Sequence, residues 1–409
     1  VLEICKSWDV EAVSIGEVIA EKRNIVNYHG IEILNLDLEF TTGGPVYKRP
    51  YNLPEYNIGN PTDLPPYPDD MKAQIINIIN QPEVASKDWV IRQYDHEVRG
   101  KTTLKPIQGP IGKDVPGDSS VIKPVDDSWK GLALTSDVNP YLMEANPYHG
   151  TMSAVEEVCR NLASVGARID SLADCLCFGN PRRPDIMGQF KASCEALRDA
   201  AVAVDVPYVS GNVSLYNETQ EGAIPPTPVL MGIGLVNDIR KCVTSDMKSE
   251  GSIWLVGQTK EEMGASLYYR TLGIECPKVP TTNFKTFLPR MEQLIQAIES
   301  EEVVACHDIS NGGLALSIIE MCMSGFGAEI TFDGKLRADV ELFSESNGRW
   351  IVQVAPGCED TFSKRFDFAE KIGNINEKII FKNGAEKLVQ LTIEEVRDKW
   401  TKPIWERLA

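Results

Sequence analysis

The sequence has little that would place it in an oxidising compartment, in a membrane or on a nucleic acid. Its ten cysteines are scattered without a CxxC pair, which argues against a disulfide scaffold or a zinc site. No apolar run approaches the roughly 20 residues of a membrane-spanning helix. The net charge is −18 and no compact lysine and arginine block interrupts the acidity, so a general nucleic-acid or anionic-membrane binder is excluded. We therefore predict a reduced, cytoplasmic protein.

The length of 409 residues and the hydrophobic content of 43% predict two or three globular domains. The first residue is Val1 rather than methionine, so we expect the chain to begin partway through a longer polypeptide. Residues 1–40 predict a helix end, a strand and a hairpin, too little to bury a core. Alternating apolar residues in this hairpin predict one strand face, and they are Leu34, Leu36, Leu38 and Phe40.

Residues 41–70 contain seven prolines, which exclude a regular helix or a central strand and predict an extended linker. Strand and helix patterns then interleave over residues 71–245 and predict an α and β domain. Its loops are expected to converge near Asp174 and Asn212. A second α and β domain is predicted over residues 246–409, closing with a helix at TFSKRFDFA and a tail strand at KLVQLTI.

Two groups of oxygen-bearing side chains in the first domain could hold a ligand. Glu157 and Asn161 lie four residues apart on a predicted helix, and such an oxygen pair suits a hard cation such as Mg²⁺. A solvated helix face is the alternative. Asp174 is predicted to stand where an apolar strand leaves the sheet, where a carboxylate can hold a metal or nucleotide or cap the next helix.

The stretch GNVSLYN follows a predicted strand and carries a third candidate group. Gly211 would let a ligand approach the backbone closely. Asn212 and Ser214 would point the same way if the segment is extended. A turn with polar residues at its tip is the alternative.

The stretch CHDISNGGL carries the fourth group. His307 and Asp308 end an apolar strand, and Gly312 and Gly313 open a helix whose free N–H groups suit phosphate. An ordinary strand-to-helix turn would give the same pattern.

Together, GARIDSLADCLCFGNPRRPDIMGQF, PYVSGNVSLYNE with PPTPVLMGIG, and CHDISNGGLALSIIEM resemble the synthetase subunit of the phosphoribosylformylglycinamidine synthase family. The resemblance implies an α+β fold, with a ferredoxin-like A domain followed by an α/β B domain of the aminoimidazole ribonucleotide synthetase superfamily. Residues 71–245 would be the second A domain and 246–409 the second B domain. Residues 1–40 would end a preceding B domain.

The family resemblance implies a C–N ligase of de novo purine biosynthesis that uses ATP and Mg²⁺. ATP phosphorylates the formamide oxygen of formylglycinamide ribonucleotide, and ammonia then displaces the phosphate to give formylglycinamidine ribonucleotide. The implied partners are a glutaminase subunit that supplies the ammonia, a small bridging subunit and the N-terminal half of the same enzyme.

The resemblance also assigns roles to two sets of residues. Those that match the main site are Asp174 and Gly211 for ATP, Asn212 for Mg²⁺ and Ser214 for substrate. Those that match an auxiliary nucleotide and magnesium site of longer relatives are Glu157, Asn161, Asp308 and Ser310. The stretch ELFSESNGRW resembles a diverged copy of a substrate-holding loop.

The family's catalytic histidines and most of its substrate contacts lie in the first A domain, and nothing in this sequence matches that domain. We therefore expect no catalytic residue here and predict a C-terminal portion that does not turn over alone. One alternative is a nucleotide-binding structural module without turnover. Another is a different enzyme of the superfamily, such as aminoimidazole ribonucleotide synthetase, selenophosphate synthetase or thiamine-phosphate kinase, although their glycine- and aspartate-rich N-terminal segment is not seen.

Overall fold

The computed structural model describes residues 1–54, 64–276 and 278–408. The chain divides into two compact units, Val1–Arg49 and Pro50–Ala409. Within the described residues, no helix combines the length and apolar character needed to cross a membrane. Residues 43–54 and 64–70 contain neither helix nor strand, as their prolines predict, and the rest of the predicted linker lies outside the described residues.

The smaller unit contains two short helices and one hairpin, and none of its residues is buried. Its elements are α1 (Leu2–Ser7), β1 (Arg23–Tyr28), β2 (Ile31–Asp37) and α2 (Leu38–Thr42).

The predicted strand face in this unit is partly wrong, because β2 ends at Asp37. The Asp37 carboxylate accepts hydrogen bonds from the backbone N–H groups of Glu39 at 2.8 Å and Phe40 at 3.3 Å. It therefore caps α2, which makes Leu38 and Phe40 helical. The separate strand predicted between the helix end and the hairpin is also absent from this fully described unit, where α1 is followed directly by β1.

The first sheet of the larger unit has six strands in the order β3-β6-β7-β12-β8-β9. Neighbouring strands are antiparallel except β8 and β9, which are parallel. The elements up to the end of this sheet are α3 (Met71–Ile79), α4 (Asp88–Ile91), β3 (Thr102–Leu104), β4 (Ile107–Gln108), β5 (Val115–Pro116), β6 (Ser120–Ile122), β7 (Gly131–Asp137), α5 (Pro140–Ala145), α6 (Pro147–Ser164), β8 (Arg168–Cys177), α7 (Pro184–Val204), β9 (Tyr208–Ser214), β10 (Glu218–Thr219), β11 (Gly222–Ala223) and β12 (Thr227–Val236).

Helices α6 and α7 cover one face of this sheet. On β12 the residues that face them alternate with partly exposed apolar ones, as expected for a strand with one buried face. Gly232 permits the close approach of α6, because a Cβ there would lie 2.3 Å from Val158 Cγ1. On the opposite face Met231 is 36% and Leu235 49% exposed. We call this second surface the open face.

The second sheet has seven strands in the order β14-β16-β13-β17-β15-β18-β19, of which only β15 and β18 pair in parallel. Its elements are β13 (Ser252–Val256), α8 (Leu267–Thr271), α9 (Phe284–Glu299), β14 (Val303–Asp308), α10 (Gly313–Cys322), β15 (Gly327–Phe332), α11 (Ala338–Phe343), β16 (Trp350–Val354), α12 (Glu359–Arg365), β17 (Ala369–Asn376), β18 (Ile379–Asn383), β19 (Glu386–Leu391) and α13 (Ile393–Leu408).

The core of the second sheet also includes elements from both ends of the larger unit. Buried residues of α3 join the same apolar cluster as Trp400 of α13. Trp400 Nε1 donates a hydrogen bond of 2.7 Å to the carbonyl oxygen of Val84. The sequence pattern did not show β17, β18 or α13. Two mostly antiparallel sheets packed by helices make an α+β fold, as predicted.

One buried carboxyl group of this core should make stability depend on pH. Glu345 Oε1 accepts hydrogen bonds of 2.8 Å from the backbone N–H groups of both Leu267 and Gly312. Burial raises the pKa of Glu345 from 4.5 to about 7. A raised folded-state pKa contributes stability that is complete below pH 4.5 and is lost as pH rises through 7.

We predict that Glu345→Gln removes up to about 3 kcal/mol of this pH dependence, because the amide oxygen can accept both bonds without titrating. Urea denaturation at pH 5 and pH 8 measures the free energy of unfolding at each pH, and the exposed Glu377→Gln is the control. An unchanged difference between the two pH values in Glu345→Gln would contradict the prediction.

Candidate functional site

A cavity of about 330 Å³ lies where the two sheets of the larger unit meet. The first sheet contributes the end of β7 and helix α6, and the second contributes the end of β14 and helix α10. The connection between α3 and α4, the β4–β5 hairpin and α13 close the remaining sides. We call it the junction cavity. Its polar lining includes Asp118, Glu157, Asn161, His307, Asp308, Ser310 and Glu320.

Arg160 of α6 organises the acidic groups beside this cavity. Its guanidinium pairs with Glu156, with Glu157 at 3.2 Å and with Asp308 at 3.1 Å. The side chain is 1% exposed, so removing one partner would leave charge buried without compensation. The charges of its carboxylate partners outweigh burial and raise the pKa of Arg160. The guanidinium therefore stays charged and connects the two sheets.

His307 supplies a second positive charge. Its Nδ1 lies 2.6 Å from Asp118 Oδ1, and its Nε2 lies 3.1 Å from Glu320 Oε2. Burial acts to lower the pKa of His307, but the charge of Asp118 and the hydrogen bonds to both carboxylates outweigh it and raise the pKa well above its ordinary value. An imidazolium with both nitrogens donating is not a metal ligand. It acts as a counterion.

Several carboxyl and amide oxygens near the cavity remain without a partner, in the part of the chain that the structure describes, after the pairs with Arg160 and His307 are assigned. Asp137 Oδ2 and Asn161 Oδ1 are buried and have no hydrogen-bond partner among the described residues. Burial raises the pKa of Asp137 to about 7, with a contribution from the charge of Asp308. Burial and the charge of Asp137 likewise raise the pKa of Glu157 well above its ordinary value. Unpartnered hard oxygens beside carboxylates that resist ionisation fit a divalent cation such as Mg²⁺.

The structure brings together the four residues predicted for an auxiliary site. Glu157 and Asn161 on α6, Asp308 at the end of β14 and Ser310 just after it all line the junction cavity. The alternative of a solvated helix face is wrong, because Asn161 is only 8% exposed and the Glu157 side chain 20%. The predicted end of β14 at Asp308 and the opening of α10 at Gly313 are confirmed.

Sequence reasoning missed Asp118, Asp137 and Arg160. Asp118 lies close to the predicted residues, since one of its carboxylate oxygens is within 4.8 Å of an oxygen of Asp308 and of a nitrogen of His307. Asp118 precedes β6 in a turn-rich segment without periodicity, so no pattern pointed to it. Arg160 was detectable in principle, because it follows Glu156 and Glu157 at helical spacings of four and three residues.

The four residues predicted for the main site lie on the adjacent strands β8 and β9 instead of in the junction cavity. Asp174 pairs with Gly211 in the parallel ladder. A Cβ on Gly211 would lie 2.6 Å from Asp174 Oδ2, so glycine is required for this close approach. Asp174 was expected where the strand leaves the sheet, but it lies within β8, which continues to Cys177.

The GNVS stretch continues β9 to Ser214, so the prediction of an extended segment is confirmed and the turn alternative is wrong. Asn212 pairs with Cys175 and Ser214 with Cys177, which places both polar side chains on the same face of the sheet. The Asp174 side chain lies on the other face of the sheet, together with the buried Leu172 and Leu176, because residues two apart on a strand share a face. The two sheet faces therefore divide the predicted main-site residues.

Two family models match the chain. The N-terminal domain of AIR synthase related proteins matches residues 116–236, and the C-terminal domain matches residues 264–381. The first range contains most of the six-stranded sheet with α6 and α7. The second contains most of the seven-stranded sheet.

Relatives and solved structures extend the similarity to nearly the whole chain. Phosphoribosylformylglycinamidine synthase subunit PurL of Thermoplasma volcanium is 33% identical over 405 residues, 97% of this chain and 53% of that protein. Two Thermotoga maritima PurL structures share the fold. The complex with FGAR has a TM-score of 0.64 at 15% identity, covering 81% of this chain and 54% of that one. The complex with ATP has a TM-score of 0.54 at 20% identity, covering 88% of this chain and 50% of that one.

The chain thus spans about half the length of the curated relatives it matches. Its two sheets correspond to the two domains that the family models describe, in the same order. The chain carries the N- and C-terminal domains of the AIR synthase related family, and its sequence resembles part of the PurL subunit of phosphoribosylformylglycinamidine synthase.

Proposed function

We propose that this chain is the C-terminal portion of an enzyme that converts formylglycinamide ribonucleotide to formylglycinamidine ribonucleotide with ATP and glutamine-derived ammonia. The observation that carries the proposal is the similarity to PurL over 97% of the chain, together with the convergence of Glu157, Asn161, Asp308 and Ser310 on one cavity. Residues 71–245 would be the second A domain and 246–409 the second B domain.

In the junction cavity we propose a nucleotide held through Mg²⁺. Its lining combines the carboxylates of Asp118, Glu157 and Asp308 with apolar residues such as Ile91 and Ile107, and with the charged side chains of Glu83, Lys87 and Asp88. A nucleotide likewise combines charged phosphates with a base. Because phosphates would be repelled by these carboxylates, bound Mg²⁺ would supply the positive charge between them. Asn161 Oδ1, on a residue that lines this cavity, would gain the partner it lacks.

For the main site we propose that β8 and β9 contribute from both faces of the sheet where β9 forms its edge. Asp174 and Gly211 would contact ATP from one face, while Asn212 and Ser214 would face Mg²⁺ and the substrate on the other. Mg²⁺ would neutralise the charge that develops as the phosphoryl group transfers. The residues that complete this site would come from an N-terminal half of the enzyme, and the open face would receive that half.

A structural nucleotide-binding module without turnover is the second candidate function for this chain by itself. Elements of both sheets enclose the junction cavity, and this enclosure favours a structural role for a nucleotide bound there. There a bound nucleotide would bridge α6 and β14 and stabilise their packing.

The first prediction of this proposal concerns the junction cavity. Mg-ADP or Mg-ATP should raise the melting temperature of the chain, because a ligand that binds only the folded state at a hundredfold excess over its Kd stabilises it by about 2.7 kcal/mol. Glu157→Gln should abolish the shift, since it removes one oxygen ligand and one charge.

Differential scanning calorimetry measures this shift. The control is Glu144→Gln, which makes the same change at an exposed position on α5 and should respond like the unaltered chain. If millimolar Mg-nucleotide leaves the melting curve unchanged and titration calorimetry shows no heat, the junction cavity is not a nucleotide site.

The second prediction concerns β9 in the complete enzyme. Asn212→Ala should raise the Mg²⁺ concentration required for half-maximal rate and lower kcat, with little change in melting temperature, because Asn212 is exposed. Ser210→Ala alters an exposed neighbour that pairs with Ala173 on the same face and is the matched control. A normal magnesium dependence in Asn212→Ala would remove it from the site.

The third prediction concerns the open face. The chain alone should make no product even with ammonia supplied, and adding the separately produced N-terminal half should restore activity. Leu235→Asp should prevent this complementation by placing a charge in the apolar contact. The control is Val202→Asp on α7, where Val202 is 76% exposed. Equal complementation by both variants would show that the halves meet elsewhere.

A further inference from the structure

A second, smaller cavity lies between α6 and the N-terminal end of α9. Its volume is about 200 Å³, below the roughly 300 Å³ at which sites for drug-sized ligands begin. We call it the α9 cavity. The residues used in the argument are Glu156, Lys260, Thr282, Arg290, Asn347 and Gly348, all of which line it. It shares no lining residue with the junction cavity.

One side of the α9 cavity attracts an anion. The 16-residue helix α9 begins there, with Asn283 as its N-cap, so its positive dipole end faces the space. Arg290 donates one hydrogen bond of 3.1 Å to the carbonyl oxygen of Gly348. Within the described residues no carboxylate pairs with Arg290 inside 4 Å. Lys260 adds a second, exposed cation, 3.6 Å from Glu262.

The opposite side presents an acceptor that lacks a donor. Glu156 is completely buried, and its Oε2 receives the guanidinium of Arg160. Its other oxygen, Oε1, makes no hydrogen bond of normal length and angle in the described part of the chain. Burial raises the pKa of Glu156, and the nearby backbone N–H of Gly348 lowers it by a smaller amount. Leaving a buried carboxylate oxygen without a well-formed bond is costly, so a ligand that donates N–H or O–H here would stabilise the site.

The floor between these two sides is open because residue 348 is glycine. A Cβ on Gly348 would lie 3.7 Å from Arg290 Nη1 and 4.0 Å from Glu156 Oε1, and its φ of 72° disfavours other residues. The amide of Asn347 donates hydrogen bonds to Ser153 at 2.8 Å and Thr282 at 2.9 Å. The cation and the free acceptor therefore converge on one preorganised space.

We propose that the α9 cavity binds a small zwitterion, with its phosphate or carboxylate at Arg290 and the α9 N-terminus and its ammonium at Glu156 Oε1. The volume is smaller than that of the junction cavity, for which we propose a nucleotide. The two cavities share no lining residue, although Glu156 pairs with the same guanidinium, that of Arg160, as Glu157 and Asp308.

Titration calorimetry with three probes tests the proposal on the whole chain. O-phosphoethanolamine carries both charges, inorganic phosphate carries only the anion and ethanolamine only the cation. We expect O-phosphoethanolamine to bind at least tenfold more tightly than either single-charge probe. Equal binding of inorganic phosphate would overturn the zwitterion class, and no heat with any probe at millimolar concentration would overturn the site.

Single-residue variants test whether O-phosphoethanolamine binds in the α9 cavity. Arg290→Met keeps the aliphatic stem beside Phe368 and should weaken O-phosphoethanolamine binding at least tenfold. Lys260→Met changes an exposed side chain that does not endanger folding and should weaken it by a smaller factor. Glu144→Gln, at an exposed position on α5, should leave it unchanged. Unchanged affinity in both cation variants, or loss of binding in Glu144→Gln, would contradict the assignment to the α9 cavity.

Discussion

A buried guanidinium links the two sheets of the larger unit beside the junction cavity. Arg160 projects from a helix that covers the first sheet and binds Asp308 at the end of a strand in the second. Its carbonyl oxygen accepts a hydrogen bond of 3.1 Å from Trp350 Nε1 of β16. Both its side chain and its backbone thus fix α6 against the second sheet. The junction cavity and the α9 cavity lie on either side of this connection.

The charge around Arg160 also explains why the acidic groups can be buried together. Glu156, Glu157 and Asp308 share one cation, and Asp118 and Glu320 share the second, His307. Two cations do not compensate all of these carboxylates in a region of low dielectric. Carboxyl groups therefore outnumber these two cations at the site, and a cation that bound only the folded form would stabilise it.

Local pattern was enough to predict most of the strands and helices that carry these groups. The long helices α6 and α7, the end of β14 and the glycine-led start of α10 follow from periodicity and from the special φ of glycine. The pairing of Asp174 with Gly211 could not be predicted, because it depends on the register of two strands separated by a helix. Asp118 and His307 meet across 189 positions of sequence, and no local signal records such a contact.

The C-terminal elements were missed for a related reason. Helix α13 has little apolar character by itself, and its role becomes visible only when Trp400 is seen packing on residues of α3 and bonding Val84. Resemblance to a family supplied roles for particular residues that geometry alone would have left open. The structure identified Asp118, Asp137 and Arg160 as candidates through their positions, and the family resemblance had not pointed to them.

The walls of the junction cavity come from points far apart in the chain, from Glu83 to Trp400. During translation the cavity therefore cannot close until nearly the entire larger unit has left the ribosome, although α6 and its sheet emerge much earlier. Until then the carboxylates of α6 face solvent, where they are hydrated and repel one another only weakly. Desolvation of these charges thus waits for Asp308 and His307, which arrive together on β14, and is complete only when Trp400 of α13 closes the cavity.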